Sequence, residues 1–282
     1  MVSGIHESTV QACFHTFCKN FAKGVYKTWI SAPEGGDLVE VTATYARLGF
    51  PGAVGAGDVT HSYSLLYNYY TGKEGFPSIA NQVTVDHTGC ALAVIAAFAG
   101  ATNDKTIVRY DPLVDRVKTH EAYTQMEYTL VDSEGREFTK KGAYLLVDGG
   151  YHQWRCLMCP LKSALTVAEL KWSKCLESVR KHVECFFGRL KGRFRILNMP
   201  LTFWASSENS REKIDNILFV AYWRIYSLPK MVFVCSSRAQ TGVVVTVCTR
   251  PSTVTQLQTP LRWICKGFAH MVGSLDRGWS LN

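Results

Sequence analysis

Three acidic residues stand at positions where a charged side chain needs a partner. Asp58 lies among small residues in AVGAGDVTH, Asp148 ends the apolar run AYLLVD, and Glu184 begins a basic stretch. Carboxylates brought together in a fold raise one another's pKa unless a cation neutralises them. Magnesium prefers oxygen ligands, and two such ions can activate water and stabilise the leaving oxygen of a phosphodiester. The three residues are therefore candidate metal ligands and catalytic residues.

Each of these residues also has a simpler interpretation. An Asp before Gly149-Gly150 is often only a turn residue. A Glu at the border of a helix often pairs with a cation one turn away, which here is Arg180. Glu177 lies seven residues before Glu184, on the same helix face, and is the alternative third acid if the register differs.

A basic run follows the third acid. Residues 180–195 hold six Lys or Arg and one Glu, within a chain of net charge +8. Such a run is often a solvated helix face, but it also suits the phosphate backbone of a nucleic acid. The candidates for DNA contacts are Arg189, Lys191, Arg193 and Arg195.

Composition argues against a secreted or membrane-spanning protein. The ten cysteines are scattered through apolar segments of a 282-residue chain, which is typical of reduced thiols in an intracellular protein. No segment reaches the roughly 18 apolar residues of a membrane span, and the N-terminus lacks the apolar core of a signal peptide. Cys156-x-x-Cys159 has zinc-ligand spacing, but a lone pair of this kind is more often structural.

The hydrophobic pattern predicts the elements that must position the acids. Residues 1–48 are predicted to be helical, with Ser8 or Thr9 as the cap of the first helix. Strands are predicted around Asp58, on both sides of the turn DHTG (86–89), and up to Asp148. One helix is predicted over 102–119. A hairpin is predicted to turn at 133–135, and its second arm is predicted to continue into the buried strand AYLLVD.

A long helix is predicted to begin at the capping box TVAE (166–169) and to carry Glu184, with a second amphipathic helix after it. One apolar stripe of the long helix is predicted to face the core, formed by Trp172, Leu176, Val179, Val183, Phe187, Leu190 and Phe194. This order predicts an α/β fold with a mixed sheet flanked by helices. We expect a catalytic domain over 49–228 after the helical segment 1–48. From Pro229 the pattern fails, so residues 229–282 are interpreted as an anomalous tail, either frameshifted or disordered.

Three blocks resemble the catalytic blocks of Harbinger-type DDE transposases and their domesticated nuclease relatives. The blocks are GFPGAVGAGDVTHS (49–62), YLLVDGGY (144–151) and VECFFGRLKGRFRIL (183–197). The family patterns are G-[FI]-P-x-x-x-G-x-x-D-x-T-H, L-x-D-x-G-Y and E-R-x-F-G-x-L-K-x-R-[FW]-x-[IL]. The resemblance covers roughly residues 5–220 and includes GATNDKTI, whose Asn103 and Asp104 are equally well explained as helix-capping residues.

The resemblance implies an RNase H-like fold and a nuclear enzyme that cuts and joins DNA at transposon ends with Mg²⁺ or Mn²⁺. Asp58 and Asp148 would ligate the metal, and Glu184 would complete the triad. His61 would support these ligands or contact DNA, although a buried, hydrogen-bonded histidine is an equal alternative. A Myb-like accessory protein and a homo-oligomer are the further partners that we expect.

Some residues depart from the family pattern. Cys185 stands where the family has Arg, Gly57 where it often has Ile, and residues 221–231 lack the Leu-His-Asn motif. The helical segment 1–48 also resembles a truncated helix-turn-helix. Together, these features suggest a decaying transposon copy. The alternative function is thus an inactive, transposon-derived DNA-binding or interaction protein. A small-ligand α/β enzyme is disfavoured, since the chain has neither a Gly-rich phosphate loop nor a plausible Ser-His-Asp arrangement.

Overall fold

The structure, a computed structural model, describes residues 6–24, 30–63, 72, 75–132, 134–194, 197 and 209–227. The chain divides into two units, Met1–Pro229 and Lys230–Asn282, and all of the described residues belong to the first. Arg195 and the predicted tail lie outside the described residues. The boundary predicted at 228 therefore stays a prediction.

A five-stranded mixed sheet forms the centre of the described fold. Its order is β3-β2-β1-β6-β7, where β1 pairs antiparallel with β2 and parallel with β6. Its strands are β1 (Ala53–Tyr63), β2 (Ser78–Val85), β3 (Ala91–Ala99), β6 (Tyr144–Leu146) and β7 (Leu157–Met158). The predicted turn between β2 and β3 is confirmed, since the Asp86 amide donates to the Cys90 carbonyl.

The predicted hairpin is also confirmed, as β4 (Glu127–Val131) paired with β5 (Glu137–Lys141). The two strands form a sheet of their own. The expectation that β5 continues into the buried strand β6 is wrong. Gly142 separates them with φ of 99°, a left-handed conformation that interrupts an extended strand.

Helices flank the sheet, as predicted. The described helices are α1 (Glu7–Gly24), α2 (Gly35–Arg47), α3 (Asp104–Ile107), α4 (Pro112–Thr119), α5 (Glu121–Thr124), α6 (Val167–Arg193) and α7 (Asn209–Ser227). Ser8 and Thr9 do not cap α1; they lie inside it, and the His6 ring accepts from the Ser8 amide. No described helix has the length and apolar character needed to cross a membrane.

The single helix predicted over 102–119 is wrong. It is split into α3, a 3-10 turn at Val108–Tyr110, and α4. Asp111 is extended between them, and its carboxylate caps α4 by accepting from the amides of Leu113 and Val114. Pro112 fits the first turn of the new helix because its missing amide hydrogen would have no partner there.

The long helix α6 begins at the predicted capping box. The Thr166 hydroxyl accepts from the Glu169 amide at 3.2 Å, and the Glu169 carboxylate accepts from the Thr166 amide at 3.0 Å. The predicted apolar stripe is buried over most of its length, at Leu176, Val179, Val183, Phe187, Leu190 and Phe194. Burial of this stripe fixes the rotation of α6, and so the direction in which its polar residues point.

The core is divided by the sheet into two clusters. One contains Leu145 and Val147 of the β6 region with residues of α4, and the other contains Ala56 and Leu146 with Leu176 of α6. The fold is therefore α/β with a mixed sheet between helical layers, consistent with the RNase H-like arrangement expected for a DDE domain.

Candidate functional site

Asp58 lies in β1, and Asp148 follows the end of the neighbouring parallel strand β6. In the ladder between β1 and β6, Ala56 pairs with Leu146, and each Asp lies two residues beyond its member of that pair. Parallel neighbours in register place their side chains on the same face of a sheet. The two carboxylates interact electrostatically, since Asp148 contributes to raising the pKa of Asp58.

An irregularity in β1 selects the face on which Asp58 lies. Ala53 pairs with Tyr144 but Gly55 pairs with Leu145, so β1 carries one extra residue between these pairs. A bulge of this kind reverses the alternation of side chains along the strand. Beyond it, Ala56 shares the α6-side cluster with Leu146. Asp58 consequently points toward α6, where Arg180 donates to it.

Two hydrogen bonds hold the Asp58 carboxylate. Its Oδ1 accepts from the Val59 amide at 2.8 Å, and its Oδ2 accepts from the Arg180 guanidinium at 2.6 Å. The pKa of Asp58 is nonetheless raised, because burial outweighs the opposing effects of Arg180 and the Val59 amide. The ionised form of the Asp58 carboxyl thus depends on a nearby cation.

Arg180 on α6 joins the first and third predicted acids. One of its terminal nitrogens donates to Asp58 and the other donates to Glu184 Oε1 at 2.8 Å. The Arg180 side chain is 12% exposed, against 21% for Asp58 and 48% for Glu184. The simpler interpretation of Glu184, an ion pair one helical turn from Arg180, is confirmed. That interpretation does not exclude a catalytic role, because the same guanidinium places Glu184 close to Asp58.

The simpler interpretation of Asp148 is also confirmed. Its Oδ1 accepts from the Gly150 amide at 2.7 Å, which closes the turn after β6. The bond orients the carboxylate and leaves Oδ2 for another partner. A turn residue and a metal ligand are therefore compatible here.

Two further residues of this region, Asp104 and Tyr151, are not among the candidate site residues, although Asp104 lies in the block GATNDKTI and was weighed as a helix-capping residue. A Cβ added to Gly150 would lie 3.0 Å from Asp148 Oδ1 and 3.7 Å from Asp104 Oδ2, so the two oxygens are no farther apart than the sum of these distances. The Tyr151 hydroxyl donates to the buried Gln82 amide oxygen at 2.7 Å. Burial raises the pKa of Tyr151, and Asp58, Asp104 and Asp148 add to the effect. Asp104 lies in the block GATNDKTI and Tyr151 in YLLVDGGY, so the family resemblance could have identified both residues.

The donors at this site suit a hard divalent cation. Asp58, Asp148 and Glu184 offer carboxylate oxygens, the ligands that Mg²⁺ and Mn²⁺ prefer. Within the ranges that the structure describes, however, no three His, Cys, Asp or Glu side chains already meet closely enough to hold a metal ion. Instead, the Arg180 guanidinium pairs with both Asp58 and Glu184. The carboxylates suit such an ion in their donor chemistry, and Arg180 holds two of them in the place of a metal.

His61 lies on the opposite face of β1 from Asp58. The ladder with β2 is regular from Ala56 to Tyr63, so residues three apart point in opposite directions. The His61 ring forms a hydrogen bond of 3.1 Å with the Ser78 hydroxyl. This placement favours the alternative of a histidine bonded within the sheet.

The predicted DNA-binding residues that are described lie near the end of α6. Arg189 is half-buried and donates to the Gly89 carbonyl at 3.3 Å. Lys191 is also half-buried, and Arg193 is exposed. Lys191 is seven residues after Glu184 and so lies on the same helix face, two turns farther along.

Cys156 and Cys159 are placed close to the turn that follows β6. Cys156 is buried, and the Cys159 thiol donates to the His152 carbonyl at 3.8 Å. Burial raises the pKa of both thiols, which disfavours the thiolate form that ligates metals.

Comparison with known families gave one match. A family model described as DDE superfamily endonuclease matches residues 60–223, more than half of the chain. The matched range includes Asp148 and Glu184 and begins just after Asp58. No curated protein and no solved structure matches the chain.

Proposed function

Because the chain belongs to the DDE superfamily endonuclease family, we propose that it cuts and joins DNA phosphodiesters with a divalent metal held by Asp58, Asp148 and Glu184. The observation that carries the proposal is the arrangement of these acids. Asp58, in β1, and Asp148, which follows β6, each lie two residues beyond the last pair of the parallel ladder, and Arg180 of α6 bonds to both Asp58 and Glu184. We further propose that the chain is of the Harbinger type, on the evidence of the three sequence blocks.

The metal would be Mg²⁺ or Mn²⁺, which when bound activates the attacking water and stabilises the leaving oxygen. The residues of the chain would hold the metal ion and orient its ligands. The amides of Val59 and Gly150 fix one oxygen each of Asp58 and Asp148, so both carboxylates are oriented before any ligand arrives. Such preorganisation lowers the cost of assembling the site.

DNA would lie along the basic end of α6. Arg193 is exposed there, and Lys191 continues the helix face of Glu184. Arg189, Lys191, Arg193 and Arg195 would contact the phosphate backbone, which carries no sequence information by itself. Transposon ends as the target, a Myb-like accessory protein, a homo-oligomer and a nuclear location belong to the same proposal.

The test is nicking of supercoiled plasmid by the full chain in Mn²⁺ and in Mg²⁺. Asp148→Asn and Glu184→Gln are expected to abolish the nicking. Glu177→Gln is the matched control, because Glu177 is an exposed carboxylate two turns earlier on the same helix. Loss of nicking in Glu177→Gln with retention in Glu184→Gln would move the third acid to Glu177. Full activity of Asp148→Asn would overturn the proposed site.

A second function is favoured by one observation. The Arg180 guanidinium pairs with both Asp58 and Glu184, an arrangement that also suits a protein that binds DNA without cutting it. That function predicts no nicking by the wild-type chain and DNA affinity that persists in Asp148→Asn. Metal-dependent nicking that disappears in Asp148→Asn would exclude it.

A further inference from the structure

Arg180 connects two of the three candidate acids through its side chain. Its two terminal nitrogens donate to different carboxylates, Asp58 at 2.6 Å and Glu184 at 2.8 Å. It is less exposed than either partner. A guanidinium is planar, permanently charged and less strongly hydrated than an ammonium, so it suits a place between two carboxylates.

The acids need a cation at this place. Asp58 is largely withdrawn from water, and Asp148, just after the neighbouring strand, interacts with it electrostatically. Carboxylates in such a group repel one another unless a positive charge compensates them. In the described structure that charge is the guanidinium.

A divalent cation would need the same oxygens. Asp58 has its Oδ1 bonded to the Val59 amide and its Oδ2 bonded to Arg180. A metal ion on Asp58 and Glu184 would therefore approach the guanidinium closely, and two cations at such a distance repel strongly in a partly buried site. Metal and guanidinium cannot both keep their full contacts.

We propose that Arg180 is a positioning residue that occupies the metal's place between Asp58 and Glu184 in the metal-free protein and releases at least one of them when the metal binds. The inference rests on the proposed function and goes further, since it states how the metal-free site is held together and what limits metal affinity. Arg180 then stabilises the metal-free fold and lowers the affinity for the ion. A simple structural ion pair would do only the first.

The experiment measures Mn²⁺ binding to the full chain by calorimetry and by thermal unfolding, without DNA. Arg180→Gln removes the charge and keeps a polar, although shorter, side chain. Lys181→Gln is the matched control, because it removes the same charge from the next, exposed position of α6. The expected result has two parts: metal-free Arg180→Gln unfolds at a lower temperature than the wild type, and it binds Mn²⁺ about tenfold more tightly or better. Its unfolding temperature then rises more on adding Mn²⁺ than that of the wild type.

Several outcomes would overturn the inference. If the wild type binds Mn²⁺ and Arg180→Gln binds it no more tightly than Lys181→Gln, Arg180 does not compete with the metal, while the proposed function stands. If neither the wild type nor Arg180→Gln binds Mn²⁺, the metal site itself is wrong and the inference falls with it. Should Arg180→Gln fail to fold, Arg180→Lys replaces it. A single ammonium holds two separate carboxylates less well than a guanidinium, so this variant is expected to bind Mn²⁺ several-fold more tightly than the wild type, and equal affinity would contradict the proposal.

Discussion

Asp58 and Asp148 lie two residues beyond the same backbone pair, Ala56 and Leu146, on adjacent parallel strands. Their proximity is therefore a property of the sheet and not of a contact between the two side chains, which repel. The hydrogen bonds of the ladder and the apolar residues on both faces hold two like charges together. Arg180 then supplies the compensating charge from α6.

The two ion pairs of Arg180 are expected to differ in strength. The Asp58 pair is mostly buried, whereas the Glu184 carboxylate is 48% exposed and joins Arg180 across one helical turn. Double-mutant cycles with Asp58→Asn, Glu184→Gln and Arg180→Gln measure both couplings from denaturant unfolding in EDTA. We expect about 1–3 kcal/mol for Asp58–Arg180 and about 0.3–0.5 kcal/mol for Arg180–Glu184. Equal couplings would mean that the burial of Asp58 does not strengthen its pair.

The bond between Tyr151 and Gln82 is expected to stabilise the turn that carries Asp148. Both residues are buried, and the Tyr151 hydroxyl is 2.7 Å from the Gln82 oxygen. Tyr151→Phe leaves that oxygen without this donor, which costs about 1–3 kcal/mol of unfolding free energy. Tyr110→Phe is the control, because Tyr110 is exposed and its ring contact with Phe98 survives the change. Similar stabilities of the two variants in urea would argue that water replaces the lost hydroxyl.

Much of this architecture is readable from local sequence. The capping box at Thr166 and Glu169, the apolar stripe of α6 and the turn at Asp86–Gly89 each depend on neighbours a few residues away, and each was predicted. The break at Asp111-Pro112 also had a local signal in Pro112, which the prediction of one continuous helix overlooked.

The features that were not predicted depend on segments that are far apart in the sequence. The extra residue of β1 can be recognised only when the pairing of β1 with Tyr144 and Leu145 is known. The bond of Arg180 to Asp58 spans 122 positions, and from the sequence Arg180 was a partner for Glu184 alone. Asp104 likewise joins the region only because α3 begins close to the turn after β6. Tertiary contacts of this kind leave no periodic pattern.

Gly89 is expected to be less replaceable than the turn glycine Gly135. It has φ of 76°, and a Cβ there would collide with the Arg189 guanidinium that bonds to its carbonyl. Gly135 has φ of 81° with open space around it, so Gly135→Ala measures the backbone strain alone, about 1–2 kcal/mol. We expect Gly89→Ala to cost about 0.5–1.5 kcal/mol more, the loss of the Arg189 bond. The difference should vanish in an Arg189→Ala background; if it persists there, the added cost has another origin.

Asp111 is expected to make stability depend on pH. Burial raises its pKa from 3.8 to about 6, so between these values the folded chain holds a proton that the unfolded chain has lost. The stabilisation from this proton is complete below pH 3.8 and is lost as the pH rises through about 6. Relative to Asp111→Asn, which cannot ionise but still offers an oxygen to the Leu113 amide, the wild type should lose up to about 3 kcal/mol across this range. Urea unfolding at several pH values checks this, with the exposed Asp115→Asn as control. A constant difference between the wild type and Asp111→Asn would show that the Asp111 carboxyl titrates as it does in the unfolded chain.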